Sequence, residues 1–121
     1  MKAVLVWILA LLIGAVVPAL LTVVVFEDLR VLLPAFFITL SHAAALGLPT
    51  ALLCRGLGLT RARWALIGGF AIGGLPSAIF LWADRTSWLD YALFVGGLGC
   101  LGALGAFTCW LTFRLSGLLP R

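Results

Sequence analysis

Residues 3–26 read AVLVWILALLIGAVVPALLTVVVF, a run from Ala3 to Phe26 without a single Lys, Arg, Asp or Glu. A helix rises 1.5 Å per residue, so crossing a hydrocarbon core of about 30 Å takes roughly 20 apolar residues. The run meets that length. It is also too long for a secretory signal, whose apolar region covers roughly 7–15 residues, and no clean A-x-A site follows it. Lys2 and this run therefore read as a retained helix. The pattern recurs in Val31 to Leu53, Trp64 to Ala83 and Leu89 to Phe113, where Asp90 in the first turn of the last run is the one ionised residue. The remaining charges cluster between and beside the runs: Glu27, Asp28 and Arg30, then Arg55, Arg61 and Arg63, then Asp84 and Arg85, then Arg114.

Only helices and closed barrels satisfy every backbone polar group in lipid, and runs of this length are helical. The short connections favour neighbours of opposite direction. The expected fold is an all-α membrane protein: one domain over residues 1–121, a four-transmembrane-helix antiparallel bundle. Composition excludes the alternatives. The 121 residues are 64% hydrophobic and only 10% charged, with a mean hydropathy of +1.27, whereas soluble domains carry about 25% charged residues. That rules out a water-soluble monomer, a disordered chain, a nucleic-acid-binding domain and a disulfide-stapled secreted module.

Orientation follows from the basic residues. Lys2, Arg55, Arg61, Arg63, Arg114 and Arg121 fall on one side with no acid among them, while Arg30 and Arg85 share the other with all the acids. The positive-inside rule places the first set, and both termini, in the cytoplasm. Trp82, Trp88 and Tyr91 would then mark the outer interface, and Trp64 and Trp110 the inner one. Helix ends carry matching signals. Ser87-Trp88-Leu89-Asp90 fits a capping box, Asp28 and Thr60 are placed to cap the second and third helices, and Gly56 and Gly117 stand where a left-handed residue ends a helix.

Helices in lipid associate through close packing of small residues. Gly69 and Gly73 have GxxxG spacing in the third run. Ala92, Gly96, Gly99, Ala103 and Ala106 form a seam of small residues in the fourth. The expected packing residues are Gly69, Gly73, Gly96, Gly99, Ala103 and Ala106. Some of this surface could serve a second copy or another membrane protein rather than the bundle itself.

Pro18, Pro49 and Pro76 interrupt the runs, and each frees the carbonyl four residues earlier, at Gly14, Ala45 and Ile72. Gly14, Ile72, His42 and Cys100 all lie about 11–12 residues from the outer ends, near the bilayer midplane. His42, with Ser41 beside it and Cys100, is therefore the candidate polar or ligand site, either as a clasp on a freed carbonyl or as a binding site of the kind broken helices form. No cofactor and no metal are expected. One His and the scattered Cys54, Cys100 and Cys109 lack metal-ligand spacing, and a single His cannot ligate a haem from both sides. Ser41 and His42 are adjacent on a helix and point apart, so they make no nucleophile–base pair.

The chain is similar in length and span number to the small multidrug-resistance transporters, yet it lacks that family's first-helix glutamate. It matches the small fluoride channels only in size, without their polar motif. Arg55, Arg61 and Arg63 can contact anionic lipid headgroups or an acidic partner. The expectation is a protein of the bacterial inner membrane that acts by contact with another membrane protein, as an accessory or assembly subunit or an immunity-type inhibitor. A small oligomeric transporter or channel with a site near His42 is the alternative. A membrane-embedded lipid-acting enzyme using Asp84, Arg85 and Asp90, or the Arg loop, comes third.

Overall fold

The computed structural model describes residues 1–83 and 87–119; the assignments made above for Asp84, Arg85 and Arg121 lie outside the described residues. In chain order the elements are α1 (Lys2–Phe26), a 3-10 turn (Leu29–Val31), α2 (Leu32–His42), a π segment (Ala43–Gly47), α3 (Leu48–Gly56), α4 (Ala62–Leu81) and α5 (Trp88–Leu115). Four helical stretches are long and apolar enough to cross a membrane: Lys2–Phe26, Leu29–Gly56, Ala62–Leu81 and Trp88–Leu115.

The second stretch is not the single regular helix expected over residues 31–53. Pro49 has no N–H for the Ala45 carbonyl, and the ladder widens ahead of it. The Leu48 N–H reaches back five residues to the Ala43 carbonyl. A π segment next to a proline is a common way for a helix to absorb a missing donor.

Two expected caps are present. The Asp28 carboxylate accepts the Arg30 N–H at 2.9 Å, and the Ser87 hydroxyl accepts the Asp90 N–H at 3.5 Å. Thr60 does not cap. The residue preceding α4 is Arg61, with no side-chain cap, and the Thr60 carbonyl accepts the indole N–H of Trp110 at 2.7 Å instead. Nor is Gly56 the left-handed residue after α3; Gly58 is, with φ 69°. There the Gly58 N–H meets the Arg55 carbonyl and the Leu59 N–H the Cys54 carbonyl, a Schellman ending that satisfies two orphan acceptors. Gly117, with φ 74°, closes α5 in the same way.

Packing is dominated by α5, which lies against both α4 and α1; α2 leans on α1, and the π segment and α3 touch α4 only lightly. Among the described residues the core consists of small side chains: Ala10, Ala15 and Ala19 are buried, with Pro18, Gly14, Gly69, Gly74, Gly99 and Gly105. Large aliphatic residues face outward, as expected where lipid is as apolar as Leu and close backbone approach is what holds helices together. Across the α4–α5 seam, a Cβ on Gly69 would lie 2.4 Å from the Gly102 carbonyl oxygen and 2.5 Å from Ala106 Cβ. A Cβ on Gly73 would lie 2.2 Å from the Leu98 oxygen. Across the α1–α5 seam, a Cβ on Gly105 would lie 2.8 Å from the Gly14 carbonyl oxygen.

The ends differ chemically. At one, the Tyr91 hydroxyl donates to the Ala78 carbonyl at 2.8 Å, and Trp82, Trp88 and Tyr91 pack edge to face with centroids about 6 Å apart. At the other, Trp7 meets Phe113 at 4.4 Å, Arg63 lies over Trp64 at 5.4 Å, and Arg114 lies over Trp110 at 5.1 Å.

Candidate functional site

Because the second stretch is held by α1 and barely reaches α4, the four helical stretches enclose a cleft of about 760 Å³. It runs from Phe26 and Phe80 near the Tyr91 end to Arg55 and Trp64 at the Trp110 end. Its wall is almost wholly apolar. Small residues such as Gly47, Ala51, Ala65 and Gly68 leave the space open, and among the described residues no carboxylate lines it.

The hydroxyls of Thr22, Thr39, Thr50 and Ser77 along its wall are already occupied on their own helices. Thr22 donates to the Pro18 carbonyl at 2.9 Å, Thr50 to Leu46 at 2.7 Å, and Ser77 to Gly73 and Gly74 at 3.0 and 2.8 Å. Thr39 also bridges helices, reaching the Ala15 carbonyl of α1 at 3.4 Å. Such hydroxyls stabilise the backbone around proline and π irregularities and present little polarity to a ligand.

His42 lines the cleft, and Ser41 and Cys100 do not. The His42 ring nitrogen Nδ1 sits 2.9 Å from the Ile38 carbonyl, and the Ser41 hydroxyl donates to Phe37 at 2.7 Å. Both bonds stay within α2, so the expected clasp on a carbonyl freed by proline in another helix does not form. A bond one turn back needs no alignment between helices and is therefore the easier one to make. The Gly14 carbonyl freed by Pro18 points at Gly105 of α5 instead, a close approach that only a residue without Cβ permits. Cys100 is exposed. Helix rotation turns it away from His42, and equal depth does not bring the two together.

Of the expected packing residues, Gly69, Gly73, Gly99, Ala103 and Ala106 lie in the α4–α5 seam, with Gly99 against the Phe70 ring. Gly96 lies outside that seam: nothing comes within 4 Å of where its Cβ would be. Gly102 and Gly105, which the run of glycines offers as a widening of the small-residue face, make the closest backbone approaches among the α5 glycines. Of the three arginines, only Arg55 reaches the cleft; Arg61 precedes α4 and Arg63 rests on Trp64.

This arrangement can hold an apolar ligand, and its size falls in the range of about 300–1,000 Å³ typical of ligand pockets. It defines a class, a small all-helical protein with four helical stretches able to cross a membrane around an apolar cleft. No protein-family model, no curated protein and no solved structure matches the chain.

Proposed function

We propose that the chain is a multi-pass protein of a bacterial inner membrane that acts by contact with another membrane protein, as an accessory or assembly subunit or an immunity-type inhibitor. Its four spans form an antiparallel bundle with both termini in the cytoplasm. The pairing of Trp7 with Phe113 and of Gly14 with Gly105 supports opposite directions for α1 and α5. Gly69 near Ala106 and Gly74 near Val95 support the same for α4 and α5. Orientation rests on Lys2, Arg55, Arg61, Arg63 and Arg114, under the positive-inside rule.

The observation that carries the contact reading is Gly96. A glycine inside a helix costs about 0.8–1 kcal/mol relative to alanine, and this one allows no close approach within its own chain. Ala92 and Cys100, four residues to either side, are exposed. Together they form a shallow ridge on α5 against which another helix can pack closely.

The test is native mass spectrometry of the protein purified from its own membranes. The wild type is expected to carry a stoichiometric second protein. Gly96→Leu should lose it at unchanged abundance, because nothing lies within 4 Å of the added Cβ in the monomer. A homodimer alone, linked through Cys100 on mild oxidation, would overturn this reading.

That outcome would favour the second reading, a small oligomeric transporter or channel, for which the position of His42 on the cleft wall speaks. There His42→Ala should abolish the export or uptake lost in a deletion strain while leaving membrane abundance unchanged. A fall in abundance would make His42 structural.

A further inference from the structure

We infer that the cleft seats an acyl chain of an anionic phospholipid, with the lipid's phosphate held by Arg55. The cleft's volume of about 760 Å³ lies in the range of small-molecule pockets, and the wall decides what fills it. Gly47, Ala51, Ala65 and Gly68 line an apolar passage leading from Arg55, and the hydroxyls farther along bond to their own backbone.

Charge then selects the headgroup. Among the described residues Arg55 is the one with a permanent charge on the wall, it is exposed, and it stands with Trp64 at the mouth. The described acids Glu27, Asp28 and Asp90 are all at the other end. A guanidinium pairs with a phosphate through two parallel N–H donors, and indole rings sit at headgroup depth. Arg61 and Arg63, off the cleft wall, contribute only to the general surface potential. The site is separate from the Gly96 ridge, which does not line the cleft, so it stands or falls independently of the partner.

The test uses the full chain, stripped of lipid in detergent and mixed with phosphatidylglycerol or phosphatidylcholine of matched acyl chains. Bound lipid is counted by native mass spectrometry. One tightly held lipid is expected, with phosphatidylglycerol preferred about fivefold, the ratio that one basic residue at an anionic surface confers. Arg55→Gln should erase the preference and leave phosphatidylcholine binding as it was; Arg61→Gln should keep the preference. Ala51→Phe, which fills the passage, should lose both lipids. A preference that survives Arg55→Gln overturns the assignment, and so does undiminished lipid in Ala51→Phe. Arg55 is exposed, so Arg55→Gln is expected to fold and is decisive even where Ala51→Phe does not.

Discussion

Gly102→Ala is expected to cost about 3 kcal/mol or more and to loosen α4 from α5. Its Cβ would stand 2.2 Å from the Gly69 carbonyl oxygen and 3.0 Å from the Gly73 backbone. Overpacking usually costs about 1–3 kcal/mol because neighbours shift to make room. Here the obstacles are backbone atoms of a helix, which shift only if the whole seam opens. Two other glycines of α5 calibrate the effect. Gly99→Ala meets the Phe70 ring at 2.7 Å, but that ring is 46% exposed and can swing outward, so the cost should be smaller. Gly96→Ala meets nothing within 4 Å and should leave stability unchanged or raise it by up to about 1 kcal/mol through helix propensity. Reversible unfolding in mixed micelles gives the three values. The order Gly102, Gly99, Gly96 is the expected one, and equal costs would mean that α4 and α5 do not meet along this seam.

Gly14→Ala is expected to cost about 1–3 kcal/mol, and Cys109→Ala to recover a large part of that loss. The new Cβ would come 2.3 Å from the Cys109 sulfur and 3.0 Å from the Gly105 carbonyl oxygen. Removing the sulfur relieves the first clash and leaves the second, so rescue stays incomplete. Cys109→Ala alone also gives up the thiol's contact with the Ala10 carbonyl at 2.9 Å. The double-mutant cycle should therefore show a coupling of about 1 kcal/mol or more, well outside the additivity of independent sites. Strict additivity would sink the α1–α5 packing described above. Reach extends beyond the pair, because the second stretch rests mainly on α1. Gly14→Ala should accordingly raise the rate at which maleimide labels Cys54 on the cleft wall.

What was legible in advance was whatever depends on neighbouring residues or on the bilayer alone. The four apolar runs matched the helical stretches able to cross a membrane, since bilayer thickness sets their length whatever they pack against. Asp28 and Ser87 were readable as caps because a cap acts within three residues. Pro49 announced an irregularity, but not its form; whether a missing donor produces a kink or a π segment depends on what the flanking turns touch. Thr60 was misread for a related reason. Its carbonyl is taken by Trp110, fifty residues away, and no local rule reports such a partner.

The candidate site divides along the same line. Depth placed His42 and Cys100 at one level, and the structure separates them by rotation alone. Successive helical residues turn by about 100°, so with Gly99 against Phe70 of α4, Cys100 must point elsewhere. The same rotation leaves Gly96 uncovered while Gly102 meets the backbone of α4 and Gly105 that of α1. The cleft follows from neither composition nor periodicity, because it is the space left when α2 leans on α1 while the π segment and α3 touch α4 only lightly. The number, length and apolar character of the helical stretches are readable from residue order, because backbone satisfaction in lipid demands them segment by segment. Tertiary structure alone decided which small residues meet, which remain free and where the cleft opens, because those depend on helix rotations fixed only by simultaneous contact between distant segments.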